Sequence, residues 1–106
     1  MLPSVTIEVP AFNEERTIAA TLKSLLELDY PAEKLQVIVV DDGSIDKTLI
    51  IAKGYADVKA LTQKHGGKVE ALNLGASISS HDFIMTIDAD AVIEKNCIKE
   101  LVKPFA

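Results

Sequence analysis

The chain has 106 residues, 48% of them hydrophobic, with one cysteine and a formal net charge of -5. This is the composition of one globular domain with a real core; it excludes a disordered chain, an internal disulfide and a cysteine-based metal site. No apolar run approaches the roughly 18 residues that cross a bilayer. No basic segment leads into an apolar one at the N-terminus, so a reducing, cytoplasmic setting is expected. The acidic balance argues against nucleic acid as a partner.

Val5-Thr6-Ile7-Glu8-Val9 alternates and is rich in β-branched residues, which predicts a first strand that Pro10 ends. Asn13 is placed to cap a helix with Glu14 and Glu15 in its first turn, where the helix dipole favours acids. Ile18, Leu22, Leu25 and Leu26 then share one helical face, and Tyr30-Pro31 stops it. Residues 37–40 form a continuous apolar run, the signature of a strand covered on both faces, and lead into Asp41, Asp42, Gly43 and Ser44. Ser44 or Asp46 can cap a helix carrying Leu49, Ile50 and Ala52, which stops near Gly54.

Residues 58–61 predict a third, weaker strand, and Gly66-Gly67 a flexible turn. A helix from about Lys68 places Val69, Leu72 and Ala76 on one side, and Gly75 inside it signals close packing on a neighbour. Phe83-Ile84-Met85-Thr86-Ile87 is a fourth apolar strand that emerges into Asp88-Ala89-Asp90. A last helix over about 94–102 puts Ile93, Cys97 and Leu101 on one stripe, with Cys97 in the core, and Pro104 closes it.

Strand and helix repeated four times call for an α/β fold: a Rossmann-like three-layer α/β/α arrangement around a mostly parallel sheet. The unusual residues all follow strands: 10–15, 41–44, 63–68 and 88–90. They therefore gather on one edge, where open α/β sheets bind ligands. Asp41, Asp42, Asp88 and Asp90 would crowd there and raise one another's pKa, a repulsion that a hard divalent cation relieves. Lys68 and the helix start behind Gly67 would offer positive potential to phosphate oxygens. These residues point to a metal-assisted nucleoside-diphosphate site. Neither GxGxxG nor GxxxxGK[ST] is present, which excludes the dinucleotide and P-loop modes. Asp46 and Thr48 read as capping residues, His65 as a solvated loop residue with a phosphate-side role as the alternative, and His81 as structural.

Val9-Pro10-Ala11-Phe12-Asn13-Glu14-Glu15 resembles the opening motif of family 2 glycosyltransferases, which have the GT-A nucleotide-sugar-binding fold. The run from Val40 through Asp41-Asp42-Gly43-Ser44 to Thr48 is similar to that family's second motif, and Gly66-Gly67-Lys68-Val69-Glu70-Ala71-Leu72-Asn73-Leu74-Gly75 to its third. Asp88-Ala89-Asp90 resembles its metal-binding DxD. The wording of the third motif is most like polysaccharide synthases of the cellulose, chitin and hyaluronan type.

The resemblance implies a metal-dependent, inverting hexosyltransferase that uses a nucleotide-diphosphate sugar, UDP being the commonest nucleotide in the synthases. Pro10, Ala11, Asn13 and Glu14 would line the nucleoside pocket. Asp41 or Asp42 would contact base or ribose, with Asp42 favoured. Lys68 would lie near base or diphosphate, Asp88 would reach ribose or sugar, and Asp90, with Asp88, would hold Mg2+ or Mn2+. In the family the acceptor-binding half and the catalytic base follow the DxD, beyond Ala106 here. The 106 residues are thus expected to be one nucleotide-sugar-binding domain of a longer, membrane-associated protein on its cytoplasmic side, inactive alone, with a glycan or lipid acceptor for the whole. An exposed sheet edge would favour self-association.

Glu8 departs from the family, which has an aliphatic residue there; a buried Glu needs a partner or a face left bare. Two alternatives stand beside the transferase: a nucleotide-binding module without turnover, and a haloacid dehalogenase-like phosphatase using Asp88 and Asp90. The phosphatase leaves the second and third motifs unexplained. A phosphorelay receiver domain would need its acid pair after the first strand rather than the second.

Overall fold

The computed structural model describes residues 2–78 and 82–105. The apolar runs become β1 (Val5–Ala11), β2 (Leu35–Asp41), β3 (Val58–Thr62) and β4 (Phe83–Thr86). They alternate with α1 (Ile18–Leu26), α2 (Thr48–Lys53), α3 (Lys68–Ile78) and α4 (Cys97–Val102). All strand pairings are parallel, in the order β3-β2-β1-β4. His81 lies outside the described residues.

β1 is buried along both faces because it lies inside the sheet. Its Val5, Ile7, Val9 and Ala11 join Val37 and Val39 in a core closed by Ile18, Leu22 and Leu25 of α1, Ala52 of α2, and Ile98 and Val102 of α4. On the other face, Ile38 and Val40 pack on Ala71 of α3, with Leu61 and Leu74 beside them. Successive strand side chains point to opposite faces, so these two clusters place helices on both sides of the sheet. That is the expected three-layer arrangement.

The helix faces differ from expectation in three places. α1 begins at Ile18 with Thr17 at its N-cap position, so Asn13 does not cap it. In α3 the buried residues are Ala71 and Gly75, while Val69 is 69% exposed and Ala76 is exposed. In α4 the buried pair is Ile98 and Val102; Cys97 is only half-buried and Leu101 is exposed. Each helix carries two apolar stripes offset by one residue. Packing selected the stripe that fits the sheet, small residues in α3 and β-branched ones in α4.

β2 and β3 extend to one side of β1, and the chain then crosses back to lay β4 on the other. The strand order therefore reverses between β1 and β4, and at such a switch point a crevice opens beyond the carboxyl ends. Register levels those ends: Ala11 pairs with Asp41, and Asp41 with Thr62.

Gly75 performs the close packing expected of it. A Cβ there would lie 2.8 Å from Oε2 of Glu8. Glu8 itself is 2% exposed, and its Oε2 has no hydrogen-bond partner among the described residues. Burial raises its pKa above the ordinary value of 4.5. A raised carboxyl pKa means that the folded state holds the proton longer than the unfolded one. Stability from this group is complete below pH 4.5 and falls as pH rises through the raised value. Glu8→Gln removes the titration. In thermal unfolding at pH 7 it should be more stable than the parent, because an amide has no charge to bury, and the advantage should vanish below the ordinary carboxyl pKa.

Candidate functional site

The four loops at the carboxyl edge are laced together before any ligand is considered. Asn13 takes a left-handed conformation with φ 53°, which Asn tolerates better than most residues. Its backbone N–H donates to Ser44 Oγ at 2.8 Å, and its Oδ1 accepts from the Ile45 N–H at 2.9 Å. Glu14 N–H donates to Thr48 Oγ1 at 2.8 Å, and Glu15 N–H to Asp46 Oδ2 at 3.2 Å. The loop after β1 is thus tied to the loop after β2.

Asp46 also accepts from the Thr48 N–H and hydroxyl. Burial pushes its carboxyl up, but the Thr48 and Glu15 donors outweigh it and hold the pKa below the ordinary value. Asp46 and Thr48 are structural, but neither Ser44 nor Asp46 holds the expected cap position, which falls on Lys47; Asp46 instead accepts from the first helical N–H from one residue further back.

Adjacent acids at the end of β2 part company, because alternate strand positions face opposite sides. Asp41 is 1% exposed; its Oδ2 accepts from the Ser44 N–H and the Thr62 hydroxyl, and it stays away from the crevice. Asp42 is 4% exposed and turns into the loop after β3. Its Oδ1 accepts from Gln63 Nε2 and the Gly66 N–H, both at 2.8 Å, and its Oδ2 from the Gly67 N–H at 2.9 Å. His65 Nδ1 lies 2.9 Å from Oδ2 as well.

The Gln63 bond, then the Gly66 bond, lower the Asp42 pKa; burial works against them, and the Gly67 bond and His65 add to the lowering. The expected upward push from neighbouring acids is therefore wrong for Asp42. Backbone and side-chain donors surround it before any acid can. Two glycines make the loop possible. Gly67 has φ +96°, and Gly43 has φ +78° with the His65 nitrogen 2.9 Å from any Cβ it might carry.

On the far side, Ala89 is buried and its carbonyl accepts from the hydroxyls of Thr17, at 3.0 Å, and Thr21, at 2.9 Å. With Ala89 pinned inward, Asp88 and Asp90 both face out. Lys68, the first residue of α3, reaches Asp88 Oδ1 at 3.2 Å. Both partners are well exposed, so that pair adds little to stability.

Between these loops lies a cavity of about 300 Å³, lined by Pro10, Ala11, Phe12, Glu14, Asp42, Lys68, Ala71, Asp88, Ala89 and Asp90. Of the residues expected at the site, Pro10, Ala11, Glu14, Asp42, Lys68, Asp88 and Asp90 converge here; Asn13 and Asp41 do not line it. Sequence reasoning missed Phe12, Ala71 and Ala89. Phe12 carried a signal, an apolar aromatic just past a strand end, where no core awaits it. Ala71 and Ala89 carried none beyond their small size.

Asp90 forms no hydrogen bond or ion pair among the described residues, and no third His, Cys, Asp or Glu there joins it and Asp88 in a metal-ligating cluster. Two outward hard-oxygen donors suit a cation that keeps water and completes its shell from a phosphate ligand.

The family model described as Glycosyl transferase family 2 matches residues 6–106. The β-monoglucosyldiacylglycerol synthase of Nostoc sp. is 39% identical over 98% of this chain and 24% of its own length. The poly-β-1,6-N-acetyl-D-glucosamine synthase of Staphylococcus aureus is 33% identical over 98% of this chain and 26% of its own. Among solved structures, the mannosyltransferase PcManGT of Pyrobaculum calidifontis, in complex with GDP-Man and Mn2+, superposes with a TM-score of 0.92 at 32% identity, covering 100% of this chain and 33% of that one. TarS of S. aureus, in complex with UDP-GlcNAc, gives 0.87 at 30% identity, covering 94% and 30%. The chain spans about a quarter of the curated relatives it matches. The phosphatase alternative falls with these matches, and the chain belongs to glycosyltransferase family 2.

Proposed function

We propose that this chain is the donor-binding part of a glycosyltransferase that takes a hexose from a nucleoside-diphosphate sugar. The observation that carries the reading is the convergence of Phe12, Asp42, Lys68, Asp88 and Asp90 on one cavity at the strand-order switch. Phe12 offers a ring face to a base. Asp42 already has four nitrogen groups around its carboxylate, which fills its four lone-pair positions. Its part is to hold the base-side wall and, through Gly66 and Gly67, to set Lys68 at the phosphates. Asp88 meets a ribose or sugar hydroxyl and keeps the Lys68 ammonium in place.

Asp90, with Asp88, is the pair that would hold Mg2+ or Mn2+, which when bound neutralises charge on a leaving diphosphate. The solved relative in complex with GDP-Man and Mn2+ supports a divalent cation beside the donor. UDP is the favoured nucleotide, on the motif resemblance and on the UDP-GlcNAc complex of TarS. In the transfer, an acceptor hydroxyl loses its proton to a general base and attacks the anomeric carbon, the bond to the diphosphate breaks with the nucleoside diphosphate leaving, and the configuration inverts. The acceptor is a glycan or a lipid, the two classes named among the relatives.

Calorimetric titration of UDP into the chain tests this reading. Binding with Mn2+ that weakens on adding EDTA is expected; no binding in either condition sinks the donor assignment. Asp90→Ala should lose about tenfold or more in affinity with Mn2+ and little with EDTA, at an unchanged melting temperature. Asp42→Ala should weaken UDP in both conditions, because it releases the loop rather than the metal. A loss confined to Mn2+ would make Asp42 a metal ligand instead.

A further inference from the structure

His65 was expected to be a solvated loop residue, and its side chain is indeed 61% exposed. It is nonetheless held on three sides. Its ring packs on Phe12 with centroids 4.5 Å apart and planes tilted by 34°. Its Nδ1 lies 3.1 Å from the Asp42 carbonyl oxygen and 2.9 Å from Asp42 Oδ2. Both are acceptors, so Nδ1 carries the proton and the ring orientation is set. Its backbone nitrogen sits so close to Gly43 that no Cβ fits between them. One residue thus joins the loops after β1, β2 and β3.

His65 is absent from the lining of the cavity, whereas the two residues its side chain touches, Phe12 and Asp42, are both part of it. Phe12 is 43% exposed and anchored in no core cluster. An aromatic ring at a loop tip with no core beneath it samples several rotamers unless something fixes it. His65 is what fixes it. On the nucleotide-donor reading above, we propose that His65 is a positioning residue for the nucleobase. It clamps Phe12 against the Asp42 loop, so that the free face of the Phe12 ring is presented to a base. Among the described residues its side chain forms no hydrogen bond, ion pair or ring contact with Lys68, Asp88 or Asp90 at the diphosphate end of the ligand, and Lys68 is held through Gly66 and Gly67, which keep their own bonds to Asp42.

The two ends of the ligand can be tested separately. UDP and inorganic diphosphate are titrated, each with Mn2+, into the chain and its His65→Ala variant, with melting temperatures measured alongside. The expected result is a loss of about three- to tenfold in UDP affinity with diphosphate affinity unchanged. His65→Phe, which keeps a ring against Phe12, should recover much of the UDP loss even if the alanine variant folds poorly. In a double-mutant cycle, His65→Ala should cost little more once Phe12→Ala is present. Equal UDP affinity in parent and His65→Ala overturns the proposal. So does a parallel loss for UDP and diphosphate, or additive effects in the cycle. Failure of the parent to bind UDP at all strikes the donor assignment itself, which is a different outcome.

Discussion

The carboxylate of Asp42 is the knot on which the binding edge depends. It gathers Gln63, Gly66, Gly67 and His65 around two oxygen atoms at the end of β2. Without it the loop after β3 loses its centre, since among the described residues no other side chain forms a hydrogen bond with Gln63, Gly66 or Gly67. The same donors keep Asp42 ionised to lower pH than an ordinary aspartate. Its stabilising share is therefore present above the ordinary value of 3.8 and fades as pH falls through the lowered folded value. Because the loop runs directly into α3, fixing Gly67 also fixes where Lys68 stands.

The opposite wall rests on different physics. There the DxD turn is held by its backbone, with one carbonyl shared between two threonine hydroxyls of the α1 region. This leaves the Asp90 side chain without a hydrogen bond or ion pair among the described residues, while Asp88 meets the exposed Lys68 ammonium. One wall is thus built with its charge satisfied internally, and the other with its charge left open for a ligand. On the donor reading proposed above, the carboxylates of Glu14, Asp42, Asp88 and Asp90 around this cavity favour a phosphate that enters with a cation; the similar mannosyltransferase PcManGT was solved in complex with GDP-Man and Mn2+.

Glu8 shows the limit of reasoning by position. On β1 it occupies a point where an aliphatic side chain would pack on α3 without difficulty. The helix answers with Gly75, which gives the carboxyl room but no donor. Space was made for the group, and hydrogen bonding was not.

The elements and the edge were legible from the amino-acid order because strand length, β-branching and turn residues are local properties. Alternating apolar runs set four strands, and the acids after β2 and β4 had to sit at strand ends, where burial stops. The four motifs likewise placed the chain in its family. What stayed hidden were the relations across loops. Asn13 looked like a helix cap because its local pattern fits one, yet its partners Ser44 and Ile45 lie more than 30 residues away. Asp41 and Asp42 are chemically identical neighbours, and only the pleat of β2 sends one inward and the other to the site. The choice between apolar stripes on α3 and α4 needed the shape of the sheet beneath them. His65 could not be told from a solvated residue until Phe12 and Asp42 came within reach of it. Local propensity therefore determined which segments fold and which edge binds, whereas tertiary contact decided which side chain on that edge is wall, clamp or open ligand, because hydrogen bonds and stacking between distant loops exist only after the sheet has aligned them.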